Sequence, residues 1–146
     1  MPRTALIVPV REAATLYDLP NGVPAHVTVL FPFADAAEVD EAAVAELVSL
    51  FPAFDFTLDR LEHFEDGTAW LRPVPSAPFV DLTAAVVERF PGYPPYEGAF
   101  DEVIPHVTVT REDAQLPIAC RATEVWLLEE QEPGGTFATR LRMPFR

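Results

Sequence analysis

The 146-residue chain contains one cysteine, Cys120, three histidines, six glycines and no lysine. A lone cysteine excludes an internal disulfide and any cysteine-based metal cluster, which suits a reducing, intracellular setting. No apolar run approaches the roughly 20 residues that a membrane-spanning helix needs. The opening MPRTALIVPV has no basic segment followed by a long apolar stretch and a small-residue cleavage site, so the protein is read as cytoplasmic, without a membrane partner. Positive charge is scarce as well: ten basic residues, all arginine, stand against 23 acidic ones, for a net charge of -13. Such a chain repels polyanions at long range, which argues against long duplex nucleic acid as a partner and leaves room for a small anion in a locally basic pocket. With 49% hydrophobic residues there is material for one core, and a single domain over residues 1–146, acting as a monomer, is expected.

Strand and helix signals alternate along the chain. TALIVPV reads as a buried strand, REAATLYDL as a short helical turn ended by PNG, and HVTVLF as a second strand closed by Pro32. A helix is expected from Asp35 as N-cap, with Glu38 three residues later and Val39, Ala43, Leu47 and Leu50 at helical spacing. FDFTLDRLEHF and TAWLRPV, joined at EDG, read as a hairpin. Phe79, Leu82, Val86 and Phe90 mark a second helix that must stop before PGYPP. The Pro- and Gly-rich stretch beyond it is a loop, then come HVTVT, a polar connection, the strand TEVWLLEE, the turn QEPGG and a closing strand TFATRLRMPF.

Two of the three histidines begin the same word, His-Val-Thr-Val, at residues 26–29 and 106–109. At ordinary residue frequencies the chance that some pair of three histidines shares its next three residues is on the order of one in several hundred. TALIVPV and TAWLRPV also share Thr, Ala, Pro and Val, and each precedes one copy of the word. Two strand-rich lobes related by a pseudo-two-fold are the simplest architecture that places equivalent words in equivalent positions.

On a strand, His26 and Thr28 point one way and Val27, Val29 and Phe31 the other; His106, Thr108 and Thr110 share a face in the same manner. Imidazole and hydroxyl then sit about 6.6 Å apart at the backbone, close enough to reach one phosphate. Two such faces across a cleft would put one imidazole on each side of a phosphodiester. The neutral one would take a proton from attacking water and the protonated one would deliver a proton to the departing oxygen, while the threonine hydroxyls hold the non-bridging oxygens. This chemistry requires no metal or cofactor, and none is expected. A binding module that holds a nucleotide or phosphorylated metabolite without turnover would use the same cleft, and a three-histidine metal site with His63 finds little support in the spacing.

The paired words, in PAHVTVLFPF and PHVTVTRED, resemble those of the 2H phosphoesterase superfamily, the 2'-5' RNA ligase-like proteins. The resemblance spans nearly the whole chain. It implies an α+β fold of two pseudo-symmetric lobes, each an antiparallel β-sheet with flanking helices, around a central cleft. It implies metal-independent hydrolysis of 2',3'-cyclic phosphates on small nucleotides or RNA ends, with 2'-5' RNA ligation in some members. His26 and His106 would be the acid/base pair and Thr28 and Thr108 the phosphate-positioning hydroxyls. An arginine shortly after the second motif, as in tRNA-processing-like members, falls on Arg111. The chain's acidity favours a small cyclic phosphate over long RNA.

Beyond the motifs, Phe33, whose direction is open after Pro32, and Tyr96, in the loop before the second motif with Tyr93, are candidates to stack a base. An ordinary packed position suits each as well. Asp101 and Glu102 could tune His106 or simply solvate the loop, His63 reads as a surface or structural residue, and Cys120 as a small buried hydrophobe.

Overall fold

The computed structural model describes residues 2–98 and 103–146. Its eight strands form one antiparallel sheet, comprising β1 (Thr4–Pro9), β2 (His26–Leu30), β3 (Phe54–His63), β4 (Ala69–Val74), β5 (Val107–Thr108), β6 (Ile118–Ala122), β7 (Glu124–Glu130) and β8 (Phe137–Pro144). The spatial order is β6-β3-β4-β5-β2-β1-β7-β8. Each half contributes four strands in mirrored spatial order about the centre of the sheet, so β2 corresponds to β5, β1 to β4, β7 to β3 and β8 to β6, although the chain connects them differently. This is the expected α+β fold with two pseudo-symmetric lobes. The lobes are continuous, because β2 and β5 are hydrogen-bonded neighbours at the middle of the sheet.

The pairing corrects the sequence echo by one residue. TALIVPV and TAWLRPV do occupy equivalent strands, but Val8 faces Val27 and Leu71 faces Val107, whereas matching the letters would equate Leu71 with Ile7. Hydrogen bonding sets the equivalence, and a one-residue offset exchanges the faces of a strand.

One face of the sheet carries the main core. Val8, Val27, Val29, Leu58, Leu71 and Val107 are buried there with Val44 and Val48 of helix α1 (Glu41–Val48) and Phe79, Leu82 and Val86 of helix α2 (Ala77–Arg89). The Thr83 hydroxyl of α2 donates to the Val29 carbonyl at 2.8 Å, tying the helix to the first motif strand. Helix α1 begins later than Asp35: Asp40 is the N-cap, its carboxylate accepting from the Ala43 amide at 3.0 Å. The Asp35 carbonyl serves only a turn to Glu38 and Val39. The buried stripe is therefore Val44 and Val48, and Leu50, expected inside, is exposed. Strand β6 occupies what reads in sequence as a polar connection, because only one of its faces is covered. A smaller cluster of Ala5, Ile7, Val23 and Leu128, with Phe31, Trp126 and Phe137 against it, covers the opposite face of the first half. No helix among the described residues is long and apolar enough to cross a membrane.

Gly22 closes the turn ahead of β2 with φ +77°, and a Cβ there would run into the Phe137 carbonyl oxygen. Gly22→Ala is expected to destabilise the fold by about 2 kcal/mol, through a backbone conformation unfavourable to L side chains and through that collision. Urea unfolding of the variant against the native chain measures it.

Candidate active site

The β2·β5 seam sets the two repeated words side by side. Val27 pairs with Val107 in antiparallel register, and continuing that register places His26 opposite Thr108 and Thr28 opposite His106. Residues opposite one another share a face, so the two histidines and two threonines form one block, with Val27, Val29, Val107 and Val109 buried behind it. All four sequence-derived motif residues are thus brought together, by direct strand pairing.

Each imidazole is held in the same way. His26 Nδ1 lies 2.7 Å from the Pro24 carbonyl oxygen, and His106 Nδ1 lies 2.7 Å from the Ile104 carbonyl oxygen. A carbonyl can only accept, so Nδ1 carries the proton in both rings and Nε2 is left with its lone pair when the ring is neutral. The edge of Tyr17 stands against His26, with ring centroids 6.0 Å apart. His106 is walled by Phe64 at 5.0 Å and Trp70 at 6.0 Å, which stack on each other. Among the described residues neither Thr28 nor Thr108 has a side-chain hydrogen bond to a protein partner, which leaves both hydroxyls available to a ligand.

Burial lowers the pKa of both histidines from the ordinary value; the carbonyl bonds oppose that shift, and for His26 the charge of His106 adds to it. A charge on one ring disfavours a charge on the other, which widens the pH interval over which the pair carries a single proton. Because folding lowers these pKa values, the unfolded chain takes up protons first as pH falls. The stability contributed by neutral His26 is complete above about pH 6.5 and is lost as pH falls through its folded value. Urea titrations across pH 5–8 should show a smaller slope in His26→Asn than in the native chain.

The remaining sequence candidates lie elsewhere or outside the described atoms. Arg111 donates from Nη2 to Asp113 at 3.0 Å and lines a separate hollow with Glu12, Thr15 and Gln115. Phe33 belongs to the core, 4% exposed and packed edge-on against Phe90 and Tyr93. That is a correction: the ring is already covered by protein, so no base can stack there. Tyr96 falls in the 3-10 turn Pro95–Gly98, with its side chain outside the described part, as are Asp101 and Glu102. His63 pairs with Glu112 at 2.7 Å, and no group of three or more metal-ligating side chains gathers among the described residues.

Two neighbours of the block were not singled out from the sequence. Trp70 is the registered partner of Thr108, and the same register sets Arg72 opposite His106, held by Asp59 through bonds of 3.1 and 2.8 Å. Their alternation in TAWLRPV is the one sequence signal that could have placed both on the motif face.

Comparison with known proteins bears on the family and the fold. A family model described as the 2'-5' RNA ligase superfamily matches residues 2–142. The structure of E. coli LigT with 3'-AMP is similar over 99% of this chain and 99% of its own, with 19% identity and a TM-score of 0.63. LigT with NADP+ gives 18% identity, 99% and 99% coverage and a TM-score of 0.62. TT0787 of Thermus thermophilus gives 20% identity, 97% and 97% coverage and a TM-score of 0.67. No curated protein matches the chain.

Proposed function

The chain belongs to the 2'-5' RNA ligase superfamily, and from that premise we propose that it is a metal-independent phosphodiesterase opening the 2',3'-cyclic phosphates of small nucleotides or RNA ends. One observation carries the reading: the matched Nδ1–carbonyl bonds of His26 and His106 leave two Nε2 atoms for proton transfer beside two unengaged threonine hydroxyls. One neutral imidazole takes a proton from water as the water oxygen attacks phosphorus. The bond from phosphorus to the 2' or 3' oxygen breaks, and the other imidazole, protonated beforehand, gives its proton to that oxygen. Thr28 and Thr108 donate to the non-bridging oxygens, whose charge grows in the transition state. The nucleoside monophosphate bound by LigT is the ligand class this chemistry would release.

The net charge of -13 supports a short substrate over long RNA. The test is turnover of the four 2',3'-cyclic nucleotides with EDTA present. Release of a nucleoside monophosphate at an undiminished rate is expected, with a bell-shaped dependence of kcat/KM on pH; loss of turnover on chelation sinks the reading. Thr108→Val, nearly isosteric, is expected to lower kcat by about 10² through loss of one donor to the phosphate. The same assay measures that loss.

A further inference from the structure

A cavity of about 420 Å³ lies along β4 beside the second motif, with Trp70, Arg72, Val74, Val80 and Ile104 in its lining. That volume is in the range of small-molecule sites. Trp70, Arg72 and Val74 share one face of β4, and the pairing of Trp70 with Thr108 makes it the face of the histidines. The hollow therefore begins about one strand spacing, roughly 5 Å, from His106. It also shares a residue with the site, since the Ile104 carbonyl holds His106 Nδ1.

Two features set the hollow apart. Val74, Val80 and Ile104 are 42%, 45% and 45% exposed, and they are three of the five large hydrophobics left exposed among the described residues. Apolar exposure gathered at one concavity indicates a binding surface. Trp70 is 8% exposed, and its buried Nε1–H has no hydrogen-bond partner; native proteins rarely leave such a donor unsatisfied. The sheet itself does not demand either feature. At the corresponding places in the first half, Ile7 stands opposite Thr28 and Pro9 opposite His26, offering no donor and no charge.

We propose that this cavity is the subsite for the nucleobase of the substrate. Val74, Val80 and Ile104 cover the faces of the planar ring, and the Trp70 indole bounds the hollow on the side of Thr108. Arg72, pinned by Asp59, lies between the base and the phosphate. The substrate class rests on the phosphodiesterase reading; the binding itself does not.

The experiment measures calorimetric binding of adenosine 3'-monophosphate, ribose 5-phosphate and inorganic phosphate to the native chain, Val80→Asn, Ile104→Asn and Trp70→Phe. Thermal unfolding confirms that each variant folds. Val80→Asn or Ile104→Asn, which add no charge beside the phosphate, should raise Kd for the nucleotide about tenfold and leave the two base-free ligands unchanged, by loss of apolar contact. Trp70→Phe should raise KM for cyclic nucleotides more than it lowers kcat. Nucleotide binding at native strength in both asparagine variants overturns the subsite, as does equal weakening of all three ligands. Nucleotide binding that is lost in the variants, in a protein that turns over no cyclic nucleotide, removes the hydrolase reading and leaves the subsite standing.

Discussion

Replacing either His26 or His106 with alanine is expected to lower kcat on 2',3'-cyclic nucleotides by about 10²–10⁴. The two losses should not multiply. Proton removal and proton delivery act in one displacement, so the double variant should be little worse than the poorer single one. The variants remain folded in this expectation, because each imidazole makes its one hydrogen bond to a carbonyl at the start of its strand and the core lies on the other face. Nucleotide binding measured alongside separates chemistry from affinity. Two variants that retain more than half of native kcat would remove both histidines from the mechanism.

Truncation of Phe79 to alanine carries the largest expected effect on stability, a loss of about 3–5 kcal/mol. Phe79 is 2% exposed, and its ring meets Phe54 at 5.0 Å and Phe56 at 5.1 Å, nearly perpendicular to each. It joins α2 to β3 in the second half. Neither strand nor helix can move in to fill the space without breaking pairing, so most of the cavity persists. Denaturant unfolding measures the change; a loss under 1 kcal/mol would mean that the aromatic cluster collapses around the gap.

The sequence and the structure agree most closely where the pattern repeats. Parity alone puts His26 with Thr28 on the polar face of one motif strand and His106 with Thr108 on that of the other, and the helix at Phe79, Leu82 and Val86 follows from its spacing. The direct pairing of the two motif strands could not be read, because strand order depends on long-range hydrogen bonds that leave no local trace. Asp35 misled for a local reason: it makes a turn of its own, while Asp40 lies five residues on with an equally good capping side chain. Phe33 misled because Pro32 interrupts the alternation that would have given its direction. Trp70 and Arg72 went unnoticed because their significance comes from partners across the strand, Thr108 by direct pairing and His106 by its continuation.

The near two-fold relation of the motif strands bears on direction. A rotation about the axis between Val27 and Val107 exchanges the histidines and exchanges the threonines. To those four residues alone, a phosphodiester and its inverted image are the same guest, and either imidazole can begin as donor or acceptor of the proton. Handedness of the outcome must come from residues off the axis. Trp70 in place of Ile7, and Arg72 in place of Pro9, are where this chain ceases to be ambidextrous.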